Sequence, residues 1–282
     1  MSKTARLKQL LLPSGKIAIA ALDHRGSLKD NLHPENPEVT TDQEILAWKR
    51  RMIDLYKDRA SGLLIDPIYG KNLIDTTMKP GWMLSMEKTG YRGGKEARVT
   101  EILENWSVAQ AKEMGACSVK LLLYYDPENI ELAKKQKEIS LKISQDCERE
   151  GMVFLLEPLS YLVEGSREDE VIRMVKDLAD IPFDIYKSEY PGTRRACEEI
   201  SRMIKAPWVL LSAGMEYSQY CEALRVACES GASGFAVGRA LWQEFGQYEG
   251  EARERYFCEV ASPRMDELLE IVEKYGKEVE IA

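Results

Sequence analysis

The sequence predicts an α/β fold, a single (β/α)8 barrel (TIM barrel) spanning residues 1–282, and three observations carry that prediction. Eight short runs are almost continuously apolar, the pattern of parallel strands covered on both faces. Amphipathic stretches with helical spacing lie between most of them. The length of 282 residues suits a βα unit repeated eight times, since such barrels take about 250 residues. No linker, composition shift or low-complexity tract divides the chain. A doubly wound open sheet is the alternative fold, but no G-x-G-x-x-G follows the first strand.

Taken in order, the first run, "KIAIAALDHR", ends in Asp23, His24 and Arg25. The second, "GLLIDPIYG", ends in Asp66 before Pro67, which reads as a helix N-cap. The connection over residues 69–81 is the least helix-like. "GWMLSMEKTG" ends at Glu87 and opens a basic, glycine-rich insert, "EKTGYRGGKEAR" (Glu87–Arg98). That insert reads either as a lid over an anion or as a solvated loop. Ile102, Trp106 and Ala109 then fall on one face of a predicted helix.

"CSVKLLLYYD" carries Lys120 inside the fourth strand, and the spacing of Leu132, Ile139 and Ile143 predicts the next helix. "GMVFLLEPLS" supplies Glu157, and "FDIYKSEYPG" supplies Lys187 with Glu189 two residues on. "PWVLLSAG" ends in Ser212 and Gly214, the Cys221/Leu224/Cys228 face marks another helix, and "ASGFAVGRAL" ends in Gly238-Arg239. Gly62, Gly115, Gly151 and Gly231 stand before strands, where helix C-caps are expected. The final amphipathic stretch, "MDELLEIVEKY", either closes the barrel or pairs subunits of a homo-oligomer.

Composition narrows the function. A hydrophobic content of 44%, a charged content of 30% and a net charge of −8 fit a soluble protein and argue against a general nucleic-acid or anionic-membrane surface. No apolar stretch approaches the roughly 18–20 residues of a membrane span. The opening "MSKTARLKQLLLPSGK" lacks a signal-peptide core, so a cytoplasmic protein is expected. The six cysteines contain no C-x-x-C pair and read as free, mostly packing thiols. Two histidines, neither in H-E-x-x-H, are too few for a His-rich zinc site. No metal and no cofactor is expected.

In barrels of this kind the chemistry collects at the C-terminal ends of the strands. Two lysines and a carboxylate there suit imine chemistry. Partial burial beside a second cation leaves some neutral amine to attack a ketone. The iminium so formed is an electron sink for C–C cleavage. Glu157, partly desolvated if it faces inward, suits proton transfer. The bland alternative for each lysine is an interior ion-pair layer. The loops after the last two strands, with Ser212, Gly214, Gly238 and Arg239, form an expected anion site.

At these residues the chain resembles the class I tagatose-1,6-bisphosphate aldolases and the related sulfofructose-phosphate aldolases. The matching stretches are "ALDHRGSLK", "LLIDPIYG", "EKTGY", "VKLLLYYD", "LLEP", "YKSEYP", "PWVLLSAGM" and "GASGFAVGRALW". The resemblance implies a Schiff-base lysine at Lys187, an acid/base glutamate at Glu157 and an assisting lysine at Lys120. It puts Asp23 and Arg25 in the family's "DQR" stretch, with His24 in place of its glutamine, and Ile68 in place of a common glutamate. Ser212, Gly214, Gly238 and Arg239 fall on its phosphate-binding segments. The implied substrate is a phosphorylated or sulfonated ketose, cleaved to dihydroxyacetone phosphate and a three-carbon aldehyde. A transaldolase using the same imine and a non-catalytic sugar-phosphate-binding barrel are the other readings.

Overall fold

The computed structural model describes residues 1–70, 72–88, 99–160 and 166–281. Eight parallel strands close into a barrel in sequence order: β1 (Ile17–Ala21), β2 (Gly62–Ile65), β3 (Gly81–Ser85), β4 (Ser118–Tyr125), β5 (Val153–Ser160), β6 (Ile185–Ser188), β7 (Trp208–Leu210) and β8 (Gly234–Val237). The helices in chain order are α1 (Lys3–Lys8), α2 (Gly26–Leu32), α3 (Asp42–Tyr56), α4 (Pro67–Gly70), α5 (Val108–Glu113), α6 (Ile130–Glu150), α7 (Arg167–Leu178), α8 (Arg194–Met203), α9 (Tyr217–Glu229), α10 (Arg239–Trp242), α11 (Gly250–Tyr256) and α12 (Ser262–Tyr275). All eight predicted strands form, and β8 pairs with β1 to leave no sheet edge.

Strand residues alternate between two cores. One set faces the surrounding helices; the other fills the barrel with Ile17, Ile19, Leu64, Met83, Leu155, Ile185, Val209 and Ala236. Leu10, from the short leucine run near the N-terminus, is fully buried in that inner set with Val279, so the chain's own ends plug the bottom of the barrel. On the final amphipathic helix, Met265, Leu268 and Val272 of α12 join the core beside α9.

One helix starts later than its pattern suggests. Ile102 and Trp106 precede α5: Asn105 takes a left-handed φ of 54°, and the Ser107 hydroxyl caps the helix by accepting from the Gln110 amide. The Trp106 indole donates instead to the Ser85 carbonyl at 3.0 Å. Gly115, Gly151 and Gly231 adopt the positive φ expected of helix ends, whereas Gly62 is the first residue of β2. All six cysteines are free; Cys258 is exposed, Cys221 part-buried and the others buried. Among the described residues no helix is long and apolar enough to cross a membrane.

Candidate active site

Register explains how the charged residues meet. Lys120, the third residue of β4, pairs with Ser85 and Leu155 and points into the barrel with them. Glu157 lies two residues beyond Leu155, and Lys187 two beyond Ile185, which are themselves register partners. Glu157 and Lys187 therefore share one inward layer, just above Lys120. Asp23 and Glu87 continue the inward parity of β1 and β3 past the ends of those strands.

Lys120 is the hub. Its Nζ lies 2.5 Å from Glu87 Oε1, 2.7 Å from Asp23 Oδ2 and 3.2 Å from Glu157 Oε2. Burial alone would lower its affinity for a proton, but Asp23, Glu87 and Glu157 carry it well above the ordinary ammonium value. Lys120 is thus a fixed cation. Lys187 has a sparser setting: its Nζ is 2.6 Å from Glu157 Oε1, and the side chain is almost wholly buried. Asp23 is pushed up by burial, yet Lys120, His24 and Lys187 together hold it well below the usual carboxylate range.

His24 stands edge-on to Trp242, with ring centroids 5.0 Å apart, and its Nδ1 is 3.9 Å from Asp23 Oδ1. Burial lowers its pKa to about 3 despite Asp23, so the imidazole is neutral. Arg25 Nη2 donates to the Glu87 carbonyl at 2.7 Å, while Nη1 is buried without a hydrogen-bond partner among the described residues. An arginine N–H left open in this way is available to a ligand.

Across the mouth, Gly238 follows β8 directly, and Arg239 is half-buried. A β-carbon at Gly214 would touch the Arg239 guanidinium at 3.2 Å, so that group lies against the turn after β7. Gly214 has φ of +80°, Ala213 has φ of +49°, and Ser212 beside them is buried. The two loops expected to hold an anion are therefore joined through Arg239.

Every residue expected at the site lies at this end of the barrel. Asp66 takes the bland role: its Oδ1 accepts from the Ile68 and Tyr69 amides and caps α4, and its Oδ2 lies 2.8 Å from Lys49 Nζ. Glu87, a strand-end residue with no role assigned to it from sequence, and Lys49 are both central. Glu87 is a direct partner of Lys120, and inward parity from Met83 and Ser85 marks it. Lys49, on α3, is fully buried and donates to the Leu22 and His24 carbonyls on either side of Asp23. Glu189 binds Arg167 at 2.6 Å and the Ser160 amide at 2.8 Å. Most of the Glu87–Arg98 insert lies outside the described residues. Among the described residues no group of three or more His, Cys, Asp or Glu side chains is arranged for a metal ion; the centre of the carboxylate cluster is an ammonium.

Residues 17–244 match the DeoC/LacD family of aldolases. A tagatose 1,6-diphosphate aldolase 2 of Enterococcus faecalis is 29% identical to this chain over 294 residues, covering 91% of this chain and 88% of its own. A tagatose 1,6-diphosphate aldolase of Staphylococcus aureus is 30% identical over 276 residues, covering 85% and 84%. Among solved structures, an archaeal fructose 1,6-bisphosphate aldolase superposes with a TM-score of 0.72 at 18% identity, covering 97% of this chain and all (100%) of that one. At that identity the likeness bears on the fold. The sequence match extends over most of the barrel, and with it the chain belongs to the DeoC/LacD aldolase family, as a class I aldolase lyase.

Proposed function

We propose that the protein cleaves a ketohexose 1-phosphate bearing an anionic group at C6, of the tagatose 1,6-bisphosphate type, through an imine on Lys187. The observation that carries this reading is the unequal treatment of the two lysines. Among the described residues Lys120 is ion-paired with three carboxylates, whereas Lys187 is ion-paired with one, Glu157, at 2.6 Å. Glu157 is the nearest base to take the proton that Lys187 must lose before it attacks C2. The same carboxyl then returns a proton to the departing hydroxyl of the carbinolamine, and water leaves.

With the iminium formed, Glu157, again a carboxylate, takes the proton of the C4 hydroxyl as the C3–C4 bond breaks. Its electron pair moves into the iminium to make an enamine, and the three-carbon aldehyde departs. Protonation at C3 and hydrolysis release dihydroxyacetone phosphate and regenerate Lys187. Lys120, fixed as a cation, stabilises negative charge on Asp23 and Glu157 through the cycle. Arg239, with the backbone around Ser212, Gly214 and Gly238, would hold a phosphate; Arg25 and His24 would meet the sugar's remaining polar groups. The tagatose 1,6-diphosphate aldolases at 29% and 30% identity support the choice of substrate type.

Borohydride reduction with tagatose 1,6-bisphosphate, fructose 1,6-bisphosphate and a 6-sulfonated analogue, followed by peptide mass mapping, tests this. The expected adduct is on Lys187, and dihydroxyacetone phosphate should accumulate without an added acceptor aldehyde. An adduct on Lys120, or on neither lysine, overturns the assignment. Turnover that appears only with an acceptor aldehyde makes the enzyme a transaldolase.

A further inference from the structure

Glu87 has no part in the chemistry above, yet it makes the shortest contact in the cluster. We infer that Glu87 is a positioning residue that occupies Lys120 and thereby leaves Glu157 to Lys187. The inference rests on the roles proposed for Glu157 and Lys187.

An ammonium has three N–H donors, and Lys120 meets three carboxylates. Their order of approach is Glu87 at 2.5 Å, Asp23 at 2.7 Å and Glu157 at 3.2 Å. The Glu157 oxygen on this side, Oε2, is buried and makes no hydrogen bond, whereas its Oε1 is 2.6 Å from Lys187. Glu157 thus stands between two ammonium groups and leans to Lys187. That lean persists only while Lys120 is satisfied elsewhere.

Glu87 is well anchored for the task. Its Oε2 accepts from the Leu122 amide at 3.2 Å, its carbonyl accepts from Arg25 at 2.7 Å, and its backbone bridges to Ile102. Its carboxylate cannot follow Lys120 elsewhere, so it fixes where that ammonium sits. Three carboxylates face two ammonium groups in this cluster, so loss of the Glu87 charge leaves Asp23 and Glu157 to neutralise Lys120 and Lys187 alone. Lys120 then draws on Glu157 Oε2. Among the described residues, the other charged or titratable groups facing the cluster are His24 after β1, Arg25 at the start of α2, Lys49 from α3 and Arg239 after β8. None of these supplies a replacement anion.

Glu87→Gln keeps the size and the acceptor for Leu122 but removes the charge. We expect kcat to fall roughly 10- to 100-fold with KM nearly unchanged. Glu87→Gln removes one negative charge from the cluster, so the acidic limb of the pH–kcat profile should move to lower pH by about half a unit or more. Glu87→Asp keeps the charge but withdraws it by one methylene; a smaller shift in the same direction is expected, and this variant decides the matter if Glu87→Gln does not fold. Lost rate with a wild-type pH profile in the folded variants assigns Glu87 a purely structural role and overturns the inference, as does wild-type kcat in Glu87→Gln. Trapping of wild-type protein on Lys187 tests the underlying reading separately: a trapped wild type with unshifted variants defeats this inference alone.

Discussion

The space a side chain would need at position 238 is already taken by His24. A β-carbon there would lie 2.4 Å from His24 Cε1 and 2.8 Å from the Ala21 carbonyl oxygen, although φ at Gly238 is an ordinary −120°. The constraint is therefore steric, and one atom tests it. Gly238→Ala should force His24 or the start of α10 to move, at a cost of about 1–3 kcal/mol for overpacking. Because Arg239 is the next residue, KM for phosphorylated ketoses should rise with the loss of stability, while kcat changes less. Parallel melts and steady-state assays check this, and an unaltered KM would separate Gly238 from the anion site. The glycine and the arginine were legible as a strand-end pair; the clash with His24 was not, because it depends on β8 closing against β1.

At the scale of elements, the ends of β1 and β2 are tied to α3 by one buried cation. Lys49 is 0% exposed, pairs with Asp66 and holds the Leu22 and His24 carbonyls, so the segment carrying Asp23 is fixed from behind. Burial lowers the Lys49 pKa in spite of Asp66, the mark of a costly charge kept for its contacts. Lys49→Met should destabilise the protein by about 3–5 kcal/mol, since it leaves Asp66 buried without its cation. The double variant Lys49→Met/Asp66→Asn should recover part of that, because asparagine still caps α4. Denaturant midpoints measure both, and a double variant no more stable than the single one would show that the pair contributes little. Lys49 escaped the sequence reading because helical spacing marks which face is apolar and does not reveal that one lysine crosses it. Asp66 was legible for its capping role, since Asp before Pro at a strand end is a local signal. Its second partner is tertiary.

For the whole molecule, the eight strands were legible because parallel strands covered on both faces leave continuous apolar runs, and their order follows from the βα repeat. The site followed from strand ends, Glu87 among them, and parity within β3 adds that Glu87 points inward. α5 starts later than the spacing of Ile102 and Trp106 predicts, because Asn105 breaks the pattern they continue. Closing the barrel also buries titratable groups together, with a consequence for the protein's response to acid. His24 falls from its ordinary 6.5 to about 3 on burial, so between those values the unfolded chain binds the proton that the folded one refuses. Stability must then rise with pH across that window and be lost as pH falls from 6.5 toward 3. Asp23 adds to the loss at lower pH: its folded value is depressed, so its contribution is present above its unfolded value, near 3.8, and disappears below it. The upper part of the window, from pH 6.5 to 5, lies above the range of ordinary carboxylates and isolates the histidine. The melting temperature should fall across that interval in the wild type. His24→Gln, which fills the space without a titratable ring, should flatten the fall, and His33 is common to both proteins and cancels in the difference. Equal slopes in the two melts between pH 6.5 and 5 would mean that the imidazole gains its proton without cost, and the neutral His24 beside Asp23 would have to be abandoned.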